Sequence, residues 1–225
     1  MPRHSTAESA STEALTSATV ARAAFQGIAG AFGDEAIERL WQGRVRSHPR
    51  PTFEATLDAV LCGDVEWAVI PVHNSTIGEI EPACRALAER GASLECVDEL
   101  TVPVSHCLLA LPDTTMSQVR HVGSHPAALA QCARFFHENP ALTAREAFDT
   151  AGSARELAEF ERASAGRHAT WYSALGVRDG RALGVLAGER AAARYGLVVL
   201  RQAVQDRADN ATRFVAVRAA HGGGR

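Results

Sequence analysis

The chain has 225 residues, 46% of them hydrophobic and 22% charged, a composition suited to one large globular core or two smaller ones. Its formal net charge of −3 gives no basic footprint for nucleic acid or for an anionic membrane, and no apolar run is long enough to span a bilayer. All 23 basic residues are arginine, which excludes Schiff-base lysines, pyridoxal-phosphate anchoring and P-loop nucleotide hydrolysis.

Cys62, Cys84, Cys96, Cys107 and Cys132 are odd in number and scattered, with no C-x-x-C pair, a pattern of reduced thiols in an intracellular protein. The first 20 residues are rich in Ser, Thr and Ala without an apolar h-region. They are expected to form a disordered leader, with residues 220–225 as a disordered tail and a cytoplasmic location for the whole.

Residues 21–26 suggest a short strand, followed by Gly27-Ile28-Ala29-Gly30 and a helix over residues 34–41 with Ile37 and Leu40 on one face. Strand, glycines and helix start in that order make an anion site of backbone N–H groups, although G-x-x-G lacks the remaining glycine of a dinucleotide fingerprint. Residues 44–51 read as a polar connector. Thr52 caps a helix to about residue 62, with Phe53, Leu57, Val60 and Leu61 as its apolar stripe. Residues 65–72 form a continuous apolar run of the kind buried in a parallel sheet, opening into the polar loop Pro71-Val72-His73-Asn74-Ser75-Thr76-Ile77-Gly78.

A helix over residues 81–89 should end at Gly91. Residues 94–111 contain two extended segments, with His106 read as a structural histidine. A strand at 119–122 then leads through Gly123-Ser124-His125-Pro126 into one helix over 127–137. Extended residues 145–148 lead into a helix capped by Asp149 and running to about residue 162. Short strands or turns follow at 169–172 and 182–186, then a helix at 189–195 closed by Gly196, and an extended 197–203. This alternation indicates an α/β protein with largely parallel sheets.

Near the C-terminus, Asn210-Ala211-Thr212-Arg213-Phe214 places a hydroxyl and a guanidinium at the root of a strand. A hydroxyl can donate to a departing oxygen, and a guanidinium can grip a carboxylate. Arg213 has an alternative partner in Asp206 or Asp209, and both readings stay open.

These clusters, taken together and in order, resemble the prephenate dehydratase family over residues 22–217. The resemblance rests on Phe25-Gln26-Gly27 with Gly30-Ala31-Phe32, Val69-Ile70-Pro71-Val72-His73-Asn74-Ser75, Thr101-Val102-Pro103-Val104-Ser105-His106-Cys107-Leu108-Leu109 and Ser124-His125-Pro126-Ala127-Ala128-Leu129-Ala130-Gln131-Cys132. It continues through Asp149-Thr150-Ala151-Gly152-Ser153-Ala154, Gly188-Glu189-Arg190-Ala191-Ala192 with Tyr195-Gly196-Leu197, and Asn210-Ala211-Thr212-Arg213-Phe214. It implies a two-lobed α/β fold like type II periplasmic binding proteins, with the ligand between the lobes. The first lobe would comprise 21–104 with 205–219, and the second 105–204.

The implied reaction turns prephenate into phenylpyruvate, water and carbon dioxide on the phenylalanine route, without a metal or cofactor, in a homodimer or larger homo-oligomer. Thr212 is the implied hydroxyl donor, with Asn74 and His73 beside it in the catalytic set. Ser75, Ser124, Gln131, Thr150 and Arg213 are the implied substrate-binding residues. His125, before Pro126, is expected to cap or pack.

His73 stands where the family usually has Glu, with two readings: it orients a donor, or it merely lines the cleft. The chain also stops shortly after the last motif, where most members continue into an ACT domain, so control by phenylalanine is not expected. Two alternatives carry weight: a non-aromatising prephenate decarboxylase, and a non-catalytic small-anion binder.

Overall fold

The computed structural model describes residues 20–160 and 170–220. The expected leader and tail, the end of the helix running to residue 162 and the start of the segment at 169 fall mainly or wholly outside them. In chain order the strands are β1 (Arg22–Gln26), β2 (Arg46–Arg50), β3 (Trp67–Asn74), β4 (Gly78–Glu79), β5 (Leu94–Pro103), β6 (Cys107–Ala110), β7 (His121–Ser124), β8 (Thr143–Glu146), β9 (Leu183–Ala187), β10 (Val198–Arg201) and β11 (Ala211–Ala219). The helices are α1 (Phe32–Trp41), α2 (Phe53–Leu61), α3 (Glu81–Arg90), α4 (Pro126–Ala130), α5 (Ala133–Glu138), α6 (Thr150–Ala158) and α7 (Glu189–Tyr195).

Two sheets define two lobes. One has the order β2-β1-β3-β11-β5, with β4 added to β3; the other has the order β10-β6-β9-β7-β8. Each is mixed, not largely parallel as the alternation of elements suggests. β1 pairs in parallel with β2 and β3, whereas β11 runs antiparallel to both β3 and β5. In the second sheet β7 is parallel to β8 and β9, while β6 is antiparallel to β9 and β10. The antiparallel members lie next to the points where the chain changes sheet, after β5 and after β10.

The crossing segments are tied together: Val104 N donates to Asn210 O (2.8 Å), Val204 N to His106 O (2.9 Å) and His106 N to the Gln205 side-chain oxygen (3.0 Å). This is the two-lobed, doubly connected architecture of the type II periplasmic-binding-protein kind.

Helices cover both faces of each sheet, so the strands read as apolar runs. Phe25, Val69, Val102, Phe214 and Ala216 pack with Ile37 of α1, while Ala24, Ala68, Ile70, Val72 and Val217 pack with α2 and α3. In the second lobe Leu109, Leu183 and Val185 meet α6 and α7, and Leu108, Val122 and Leu186 meet α5.

Two local expectations need correction. Residues 46–50 form an edge strand rather than a connector: β1 needs a parallel neighbour on its free side, and Pro49 is tolerated because an edge position requires no ladder N–H there. The helix expected over 127–137 is broken at Gln131 and Cys132. Asp206 accepts from Ala133 N and Arg134 N, starting α5 afresh.

The lobes touch closely on the side of α1 and α7. Gly30, at φ 88°, brings its Cα so near Ala191 that a Cβ would lie 3.1 Å from the Ala191 Cα. Tyr195 donates to Ala29 O (2.7 Å), and Arg190 reaches the buried Asp34 carboxylate at 3.4 Å.

Candidate active site

The site begins with a register shift. Phe214 pairs with Pro71 and Arg213 with His73, leaving Val72 without a partner on β11. Unbroken alternation would put Asn74 with Ile70 and Val72, facing α2 and α3. The extra residue is a β-bulge, which reverses the alternation beyond it. Asn74 therefore sits opposite Thr212 on the inner face and is buried, while His73 turns out beside Arg213 and is exposed.

Asn74 is held by donors that leave no choice of orientation. Thr76 N (2.9 Å) and Ile77 N (3.3 Å) can only donate, so the atom facing them is Asn74 Oδ1, and Nδ2 faces β11. Nδ2 donates to Asn210 Oδ1 and to Thr212 Oγ1, both at 2.9 Å. Asn210 Nδ2 donates to Gln131 Oε1 (3.0 Å), Gln131 Nε2 to Thr76 Oγ1 (3.0 Å), and Thr76 Oγ1 back to Asn74 Oδ1 (2.5 Å). The four side chains form a closed ring running in one direction, with Gln131 supplied by the second lobe. Such rings polarise each member and resist rotation of any one.

Two branches leave the ring. His106 Nε2 lies 3.0 Å from Gln131 Oε1, an acceptor, so this nitrogen carries the proton. Burial pushes the His106 pKa down, against the opposing effect of the Gln131 bond, so the ring is the neutral Nε2–H tautomer. The other branch is Thr212, whose oxygen accepts from Asn74. Its own O–H makes no bond to another protein group among the described residues, and it faces a cavity.

That cavity, of about 280 Å³, lies between the lobes. Gln26, Phe32, Phe214 and Thr212 belong to its first-lobe wall, and His125, Asp149 and Thr150 to its second-lobe wall. Two helices start on it. Ala31, Phe32 and Gly33 begin α1, where no side chain caps the free N–H groups. Asp149 and Thr150 begin α6, where the Asp149 carboxylate accepts from Gly152 N. Free N–H groups and the helix dipole make such ends favourable for carboxylates. His125 caps α4, its Nδ1 accepting from Ala127 N at 3.1 Å, which leaves Nε2 as a donor.

Of the residues singled out in the sequence, Thr212 and Thr150 line this cavity. Asn74 and Gln131 stand behind Thr212 in the ring rather than on the cavity wall. Ser75 is spent on the backbone, donating to Asp209 O and accepting from Ala211 N (2.9 Å each), which pins the segment carrying Thr212. Ser124 is fully buried and donates to Leu186 O at 2.7 Å, so it joins β7 to β9 and does not reach a ligand.

The structure does not bring His73 or Arg213 to this cavity: the bulge in β3 turns His73 outward, and the regular alternation of β11 between Thr212 and Phe214 does the same to Arg213. Both stand on the outer face, where Arg213 pairs with Glu99 at 3.3 Å. Neither sequence-proposed structural partner is used, since Asp209 binds Arg207 and Asp206 caps α5. Asn210 and Thr76 are contributors to which the sequence assigns no role, and Asp149, expected only as a helix cap, also reaches the cavity wall. Asn210 had a visible signal, lying two residues before Thr212 and hence on the same strand face. Among the described residues no three His, Cys, Asp or Glu side chains come together as metal ligands.

A family model described as prephenate dehydratase matches residues 23–221. Arogenate dehydratase 1 of Petunia hybrida is 36% identical over 195 residues, covering 86% of this chain and 41% of the relative. Among solved structures, GqqA, described as a novel type of quorum-quenching acylase, superposes with a TM-score of 0.73 at 31% identity, covering 91% of this chain and 66% of that one. The prephenate dehydratase of Arthrobacter aurescens in complex with L-Phe gives a TM-score of 0.71 at 24% identity over 89% and 61%, a likeness of fold. The chain thus spans under half the length of the Petunia relative.

Proposed function

Because the chain belongs to the prephenate dehydratase family, we propose that it aromatises the hydroxylated, carboxylated cyclohexadiene ring shared by prephenate and arogenate. Prephenate yields phenylpyruvate, and arogenate yields phenylalanine. The carbon–carbon bond to the ring carboxylate breaks and releases carbon dioxide. Its electron pair completes the aromatic ring, and the hydroxyl across the ring departs, taking one proton to leave as water.

The supporting observation is the setting of Thr212: its oxygen accepts from Asn74 Nδ2, its O–H has no protein acceptor among the described residues, and the residue lines the cavity. A donor fixed in this way stabilises charge on a leaving oxygen without reorganising during the reaction. The α1 N-terminus, uncapped by any side chain, suits one substrate carboxylate. Residues 21–104 with 205–219 act as the lobe that carries the donor, and residues 105–204 as the lobe that closes on the substrate.

Similarity to GqqA raises acyl transfer as a second reading. Among the described residues, however, no Ser, Thr or Cys side chain is hydrogen-bonded to a histidine, the pairing that activates an acyl-accepting nucleophile. The elimination reading has its donor already in place.

The test is incubation of the purified protein with prephenate and with arogenate, following aromatic product and carbon dioxide. Both signals are expected. Carbon dioxide alone indicates a decarboxylase, and neither indicates a binder. Thr212→Ala should lower kcat by roughly 10²- to 10⁴-fold with less change in KM, while Thr212→Ser keeps most activity. A fully active alanine variant would remove Thr212 from the mechanism.

A further inference from the structure

The charges that the described residues bring to the cavity wall do not match a dianion. With Arg213 turned outward onto Glu99, no guanidinium among the described residues lines the cavity. Among the described residues, those of the Asp, Glu, Arg and His types on its wall are Asp149 and His125. His125 accepts from Ala127 N through Nδ1 and so caps α4. Among the described residues the wall thus offers one carboxylate, one imidazole and the end of α1 that no side chain caps.

Asp149 is also placed oddly for a site built around anions. One of its oxygens takes Gly152 N, which fixes the carboxylate at the first turn of α6 and sets a full negative charge against that helix's partial positive one. Its second oxygen, Oδ2, makes no hydrogen bond among the described residues. A substrate carrying two carboxylates and no cation would meet repulsion here. A substrate whose side arm is an α-amino acid would bring an ammonium to Oδ2 and its carboxylate to the free N–H groups of Thr150 and Ala151.

Resting on the dehydratase reading above, we infer that Asp149 is the specificity-determining residue of this cavity and selects the amino-acid substrate, arogenate, over the keto-acid prephenate. The selection is electrostatic. The two molecules share the reacting ring, so a contact to the arm changes which one binds, not how the ring reacts.

Asp149→Asn isolates the charge, because an asparagine oxygen still accepts from Gly152 N and caps α6. For the wild type, kcat/KM for L-arogenate should exceed that for prephenate by at least about tenfold. In the variant the arogenate value should fall by roughly ten- to a hundredfold, mainly through KM, while prephenate stays within about threefold or improves. An unchanged thermal midpoint would confirm an intact cap.

Equal use of both substrates by the wild type, or an equal fall for both in the variant, overturns the inference and leaves the dehydratase reading standing. Calorimetric titration with the two aromatic products separates the remaining case. L-phenylalanine should bind more tightly than phenylpyruvate, with the difference erased in Asp149→Asn. A protein that turns over neither substrate but shows this difference keeps the inference about the arm and loses the dehydratase. One that shows neither turnover nor the difference loses both.

Discussion

Replacing Asn74 by aspartate removes two hydrogen atoms and reverses the hydrogen-bond direction on which Thr212 depends. The side chain keeps its bonds from Thr76 N and Ile77 N, so position 74 should remain in place. The oxygen that replaces Nδ2 then faces Asn210 Oδ1 and Thr212 Oγ1, each 2.9 Å away. Two acceptors cannot share that gap. Asn210 can relieve the first clash only by flipping its amide, which turns its oxygen onto Gln131 Oε1 and breaks the ring at the next bond.

Thr212 relieves the second clash by donating its proton to the new carboxylate, and the proton is then lost to the cavity. Loss of a preorganised donor at a developing oxyanion costs about 10²–10³ in kcat, or about 2.7–4 kcal/mol of transition-state stabilisation. A buried acceptor left facing another acceptor costs about 1–3 kcal/mol of stability. Asn74→Asp is therefore expected to lose both rate and thermal stability, whereas Thr212→Val loses mainly rate.

Combining the two changes should cost little more in kcat than the worse single change, because both remove the same donor. Single-turnover kinetics with saturating substrate, together with urea midpoints, measure both quantities. An Asn74→Asp variant with kcat within a few-fold of wild type would refute the directional reasoning. So would a double variant whose losses multiply.

The remaining expectations concern residues outside the ring. His73→Ala and Arg213→Ala should each leave kcat/KM within about threefold of wild type, because both side chains occupy the outer face; a hundredfold loss in either would place it back in the site. Ser124→Ala should lower stability by about 1–3 kcal/mol while KM stays constant, since only Leu186 O loses its donor; a selective rise in KM would restore Ser124 as a ligand contact. Stability should also fall with acid. His48, His106 and His121 all have lowered pKa values, through desolvation first, then neighbouring arginines for His48 and Arg145 for His121. Each folded histidine binds its proton less readily than in the unfolded chain. Their contribution is therefore present above the unfolded value of ~6.5 and lost as pH falls through it toward the lower folded values. A urea midpoint unchanged between about pH 7.5 and 5 would contradict this.

Most of the order of elements, and the hydroxyl proposed as the donor, were legible in the sequence alone. Apolar runs, glycine stops and capping residues such as Thr52 and Asp149 are local signals, and the strands and helices they mark are present. The pairing of Asn74 with Thr212 across two distant segments was legible only as two polar patches whose partners were unspecified. Tertiary structure decided which way their side chains face, because a strand's alternation is legible only until an extra residue breaks it. The bulge at Val72 depends on how β11 registers against β3, a contact between residues 138 positions apart that no local window contains.

The same limit explains β2, a polar pentapeptide that becomes a strand only because β1 has an open edge. It explains the break at Gln131 too, where Asp206 from the returning chain starts the second helix. Composition and spacing report what a segment is able to form. Its partner across the fold decides which face of it lines the cavity.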